Sequence, residues 1–139
     1  MRVTCSVNGP SMIRSICIVD DSPDIQEIFA IFFENKGYRV IKVSGGTECL
    51  DTIRTEVPDV IFLDIMMEPV DGWMTLVQIK NEQATRHIPV IIISGKHPTV
   101  EEQKMYGHLF VRFIMKPFSL AILDEAIAAL VKSCGTAKM

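Results

Sequence analysis

In the stretch SICIVDDSPDI, Ser15 to Ile25, five residues of nearly continuous apolar character run into two adjacent carboxylates, and a Ser-Pro pair follows. An apolar run without polar alternation is a strand buried on both faces, and Pro suits the first turn of a helix. The local reading is strand, acidic turn, helix. Ile25, Ile28, Phe29, Phe32 and Phe33 continue at three- and four-residue spacing, so the helix faces a core, and Gly37 is placed to cap it. Outward from this unit the pattern recurs, with apolar runs at Tyr38–Val43, Val60–Leu63, Val90–Ile93 and Val111–Met115. Leu50, Ile53 and Val57 predict a second helix, Trp73, Leu76, Val77 and Lys80 a third, and Leu123, Ala126, Ile127, Leu130 and Val131 a last one. Thr99 and Glu102 form a capping-box pattern for a fourth helix, in which only Val100, Met105 and Tyr106 are left to pack. That helix is expected to be the most loosely held. Connections too long for hairpins imply right-handed crossovers, hence an α/β three-layer sandwich with a five-stranded parallel sheet covered by helices on both faces.

The 139 residues (15.6 kDa) suffice for one domain that buries roughly two-thirds of its unfolded surface. A hydrophobic fraction of 48% and a charged fraction of 22% exclude disordered and fibrous classes. The net charge of −3 and pI near 5.6 argue against direct nucleic-acid or anionic-membrane binding, which needs a basic patch. Cys5, Cys17, Cys49 and Cys134 show neither a C-x-x-C pair nor metal-site spacing, so they read as free thiols in a reducing compartment. With no signal-peptide pattern and no membrane-length apolar run, the expected location is cytoplasmic. Residues 1–13 read as a flexible leader, 14–134 as the domain and 135–139 as a tail, with no room for a second full domain.

In open parallel sheets, ligands bind beyond the carboxyl ends of the strands. The first strand runs into Asp20-Asp21, the third into Asp64, the fourth into Ser94-Gly95 and the fifth into Lys116-Pro117; the second ends without distinctive chemistry in Ser44-Gly45-Gly46. Asp21 or the nearby Asp24 could equally cap the first helix. Asp64 fits a cap poorly, because Ile65-Met66-Met67 follows with no helix for several residues. Three carboxylates on one edge require a cation, and Mg²⁺ with water and a backbone carbonyl near Met66 is the economical choice. Lys116 reads either as a solvated lysine or as an ammonium reaching into the acidic cluster, where three Asp, one Lys and Mg²⁺ sum to zero. Ser94 reads as a turn cap or as a hydroxyl donor to a tetrahedral anion beside Gly95.

Taken together in this order, IVDDSPDI, VIFLDIMM through Asp71-Gly72, HIPVIIISG and FIMKPF resemble the receiver domain of two-component response regulators, over about Arg14 to Cys134. The resemblance implies a flavodoxin-like fold with sheet order 2-1-3-4-5 and the site at the switch point between strands one and three. It implies that Asp64 is the phosphoacceptor, taking a phosphoryl group from a sensor histidine kinase or phosphotransfer protein. Mg²⁺ is then held by Asp21, Asp64 and the Met66 carbonyl, with Asp20 acting largely through water. Lys116 and Ser94 contact the phosphoryl oxygens, and Phe113 occupies the switch aromatic position, against the alternative of a fixed core ring. The output would be a repacked surface of the fourth helix, fifth strand and fifth helix that addresses a downstream protein. The implied role is a signalling phosphoacceptor and not an enzyme beyond its own phosphorylation and slow autodephosphorylation, since the apolar Met66 cannot orient a water.

Other classes fit less well. An aspartyl-phosphate phosphatase wants Asp-x-Asp where this chain has Asp64-Ile65-Met66, and a nucleotide or flavin binder wants a Gly-rich turn where it has Asp20-Asp21-Ser22-Pro23. A receiver-like interaction module that is no longer phosphorylated, or a fragment of a longer regulator or hybrid histidine kinase, are the remaining alternatives. One departure from the family pattern is Met67-Glu68-Pro69, in which Pro falls one place late.

Overall fold

The computed structural model describes residues 13–67 and 71–137. Five strands alternate with five helices: β1 Ser15–Val19, α1 Pro23–Glu34, β2 Arg39–Val43, α2 Gly46–Glu56, β3 Val60–Asp64, α3 Gly72–Asn81, β4 Val90–Ser94, α4 Val100–Tyr106, β5 Arg112–Met115 and α5 Leu120–Ala137. A single 3-10 turn, Gly107–Leu109, follows α4. All strand pairings are parallel and the order is β2-β1-β3-β4-β5, so the chain reverses direction across the sheet between β1 and β3.

Every residue of β1, β3 and β4 is buried, as their unbroken apolar runs require. Within those runs, alternate residues serve opposite faces. Cys17, Val19, Ile61 and Leu63 pack against Ile53 of α2 and Leu76 and Ile79 of α3. Ile16, Ile18, Phe62 and Ile91 pack against Phe29 and Phe33 of α1 and Leu123 and Ile127 of α5. The second core is rich in aromatic edge contacts, with Phe29 4.9 Å from Phe62 and 5.7 Å from Phe118 between ring centroids.

Helix ends refine three expectations. Ser22, not Asp21 or Asp24, caps α1, its side chain accepting the Ile25 N–H, while Pro23 opens the helix. Asn35 closes α1, and Gly37 takes a left-handed φ of +96° two residues later, in the turn into β2. Val57 is the C-cap of α2, with a φ of +45° and an exposed side chain, instead of a core-facing residue. The Thr99–Glu102 capping box of α4 forms in both directions, and no residue of α4 is buried. Helix α5 continues to Ala137, past Cys134. Among the described residues no helix is long and apolar enough to cross a membrane.

Cys17 and Cys49 are free and buried. Burial pushes both thiols up, Cys17 well above its ordinary value and Cys49 to about 12, which leaves them as inert apolar groups.

Candidate functional site

The parallel sheet delivers Asp20, Asp64, Ser94 and Lys116 to its carboxyl edge, because each directly ends or follows a strand. Asp20, Asp21 and Asp64 each offer a carboxylate oxygen within 4.8 Å of the others. Asp20 is fully buried and Asp64 nearly so, whereas Asp21 is exposed. Lys116 reaches in from the end of β5, its Nζ 2.8 Å from Asp20 Oδ2 and 3.3 Å from Asp64 Oδ2. The alternative of a solvated lysine is thereby closed.

Each buried carboxylate is oriented by backbone as well. Asp20 Oδ1 accepts the Ser22 N–H at 2.9 Å, and Asp64 Oδ1 accepts the Met66 N–H at 2.9 Å. Asp21, with the helix cap supplied by Ser22, makes no hydrogen bond or ion pair among the described residues. One more carboxylate, Asp59, shows the contrast: at the opposite end of the sheet it accepts the Arg14 and Ser15 N–H groups and fixes the start of β1.

Burial pushes the Asp64 carboxyl above its ordinary value, and the neighbouring Asp20 adds to this, against the pull of the Met66 N–H and of Lys116. Burial alone would lower Lys116, but its bonds to Asp20 and the two carboxylate charges outweigh that and leave it raised, so it stays an ammonium. The three carboxylates and Lys116 carry a formal −2. An all-oxygen donor set of that charge fits a hard divalent cation such as Mg²⁺, with the exposed Asp21 as its most accessible ligand.

Ser94 is buried on the strand next to β5, where its carbonyl accepts the Lys116 N–H at 2.7 Å and its Oγ accepts the Lys96 N–H at 3.3 Å. The lysine and the serine are thus joined through their backbones, and the Lys116–Pro117 peptide that follows is cis. Phe113 is half-buried, its ring 5.4 Å from that of His97. It lines a small cavity with Ile65, Met66, Trp73, Ser94, Lys96 and Glu102, next to the segment that follows Asp64. Glu68 and Pro69, the departure noted in the sequence, lie outside the described residues.

Four further residues support the site in ways their sequence positions do not specify. Gly72 is one: a Cβ there would lie 2.4 Å from the Asp64 carbonyl oxygen, so the chain after Asp64 can fold back only onto glycine. Asp71, beside it, caps α3 by accepting the Met74 N–H. Trp73 donates from Nε1 to Glu102 Oε2 at 3.0 Å and stacks on Tyr106 at 4.6 Å, tying α4 to α3 at the rim of the site. Gln26 of α1 donates to the Asp20 carbonyl and to Ser44, which gives the end of β2 a part in the site.

A doubly wound α/β domain with an acidic triad and a lysine at its switch point is the architecture of a signalling receiver. The response regulator receiver domain family matches residues 16–128, and the chain belongs to that family. It is 31% identical to the polar-differentiation response regulator DivK of Brucella ovis over 116 residues, 84% of this chain and 94% of DivK. It is 34% identical to the response regulator GtcR of Aneurinibacillus migulanus over 108 residues, 78% of this chain but only 43% of GtcR. Among solved structures, the N-terminal domain of a response regulator receiver protein from Methanoculleus marisnigri shares 44% identity at a TM-score of 0.71, covering 85% of this chain and 96% of that one. The chemotaxis protein CheY4 of Vibrio cholerae, at 19% identity, shares the fold with a TM-score of 0.78 over 86% of this chain and 99% of its own. The chain is a receiver domain of two-component signalling.

Proposed function

We propose that the protein is a phosphoacceptor switch. Asp64 takes a phosphoryl group from the phosphohistidine of a sensor histidine kinase or phosphotransfer protein, and the modified site changes the α4–β5–α5 surface read by a downstream protein. The observation that carries this reading is the convergence of Asp20, Asp21, Asp64 and Lys116 at one sheet edge, with Asp64 buried and held by the Met66 N–H. An aspartate with only a capping role needs neither the second and third carboxylates nor the ammonium.

In the transfer, a carboxylate oxygen of Asp64 attacks phosphorus as the P–N bond breaks, and the bonding pair returns to the donor imidazole. Lys116, already 3.3 Å from Asp64, follows the charge onto a phosphoryl oxygen while keeping Asp20 as its second partner. Asp21, Asp64 and the Met66 carbonyl would hold Mg²⁺, with Asp20 assisting through water; the ion supplies charge neutralisation as the phosphoryl moves in line. Ser94 would turn its hydroxyl to the new oxygens, drawing its loop inward and opening space into which Phe113 can rotate. Met66, 57% exposed beside the acceptor, offers no group to orient a hydrolytic water, in keeping with slow autodephosphorylation. On the output face, Val100 and Met105 of α4 and Met115 of β5 are exposed apolar side chains available to a target. Residues 14–134, in the cytoplasm, are taken as the functional unit.

The test is direct. Incubation with Mg²⁺ and acetyl phosphate should label the wild-type protein and not Asp64→Asn. Equal labelling of both would remove Asp64 as acceptor, and labelling of neither would favour an interaction module that has lost phosphorylation.

A further inference from the structure

Gln26 sits just past the first turn of α1, half-buried, with its terminal amide turned back toward the sheet edge. Nε2 donates to the Asp20 carbonyl at 2.7 Å and to Ser44 Oγ at 3.1 Å. The Asp20 N–H, in turn, donates to the Val43 carbonyl of β2 at 3.1 Å. The backbone of Asp20 is therefore gripped on both sides, its N–H by β2 and its carbonyl by α1. That carbonyl belongs to the peptide leading into Asp21, and the plane of this peptide sets the direction in which the Asp21 side chain leaves the backbone.

Asp21 depends on that setting more than its neighbours do. Asp20 and Asp64 are each fixed by a backbone N–H and by Lys116. Asp21 has no such partner among the described residues and is the exposed member of the triad. A primary amide suits this position because it has two N–H donors for two acceptors, and it adds no charge to a cluster whose cation affinity depends on its −2 balance. A lysine in its place would repel a divalent cation.

We infer that Gln26 is a positioning residue which, through the Asp20–Asp21 peptide and its tie to Ser44, presets Asp21 for the divalent cation. The inference rests on the cation-assisted phosphoacceptor reading above. Its test is a Mg²⁺ titration of the full chain, read both by the rise in melting temperature and by the rate of labelling from acetyl phosphate. Gln26→Met keeps the length and packing of the side chain without its donors. It should raise the half-saturating Mg²⁺ concentration by about 3- to 10-fold in both readouts, up to the low end of what direct partners of metal ligands cost, because Gln26 acts on Asp21 only through the backbone. The labelling rate at saturating Mg²⁺ should stay within about twofold, a split that simple unfolding would not produce. Ser44→Ala, which removes one anchor of the amide, should shift the half-saturation in the same direction by about twofold, and it decides the matter if Gln26→Met does not fold. Unchanged half-saturation overturns the inference, as does a fall in the saturated rate alone. A wild type that is stabilised by Mg²⁺ yet never labelled would sink the phosphoacceptor reading while leaving the thermal titration to judge Gln26.

Discussion

One absent methyl group decides whether β3 can hand the chain to α3. The Gly72 N–H bonds to the Ile65 carbonyl at 2.9 Å, and this close return leaves a Cβ at Gly72 only 2.4 Å from the Asp64 carbonyl oxygen and 2.5 Å from Ile65 Cα. Those atoms are backbone and cannot swing aside. Gly72→Ala must move the end of β3, costing about 1–3 kcal/mol as overpacking does. Because the residue displaced is the proposed phosphoacceptor, labelling should fall more than the loss of stability accounts for; denaturant unfolding measured beside acetyl phosphate labelling separates the two. At this scale the sequence was legible where a chemical type stood at a strand end, as with Asp20, Asp64, Ser94 and Lys116. Gln26 was not legible, because a glutamine on a helix has no periodic or compositional signature. Its role exists only once β2 lies beside β1 and brings Ser44 within reach.

Helix α4 is the element whose hold on the molecule is thinnest. It buries no side chain, and one carboxylate does much of the tethering: Glu102 Oε1 accepts the Thr99 N–H at 2.9 Å while Oε2 accepts the Trp73 indole N–H at 3.0 Å. The bond from the Thr99 N–H, the largest influence, and that from Trp73 hold Glu102 below the usual carboxylate range. Glu102→Ala removes half of a capping box and the link to α3, a loss of about 1–2 kcal/mol locally. Amide hydrogen exchange over Val100–Tyr106 should speed by about tenfold, with α1 and α5 unchanged and the exposed Glu101→Ala close to wild type. Protection equal to wild type would show that the Trp73–Tyr106 stack suffices alone. The capping box and the sparse apolar face of α4 could be read from its residues, as could the strands buried on both faces. Val57 could not, because the position of a helix end depends on the turn into β3, where this residue takes a left-handed φ at the last turn of α2.

Across the whole molecule, the sheet order places three like charges together without a counter-ion of equal charge, so part of the stability is spent on the site. In chelator-treated protein this has a definite pH signature. Burial raises Asp64, so the folded state keeps a proton that the unfolded chain has lost; ionisation costs stability progressively as pH rises from the ordinary carboxylate value through the folded one. Asp64→Asn removes that cost. Its melting temperature without Mg²⁺ should exceed the wild type's at pH 7, and the gain should shrink toward zero in acid, where Asp64 is protonated in both states. Equal melting at pH 7 would contradict the account.

The division of the core also bears on how such a protein can change over generations. On one side of the sheet Phe29 and Phe33 of α1 pack with Leu123 and Ile127 of α5, and α2 and α3 fill the other, so apart from Tyr106 the fold draws little from α4. Substitutions on the outer face of α4 therefore meet little opposition from folding. If the proposed switch holds, the surface that meets a target can be rewritten while the carboxylate cluster at Asp64 is inherited intact, which allows one scaffold to be re-addressed to new partners.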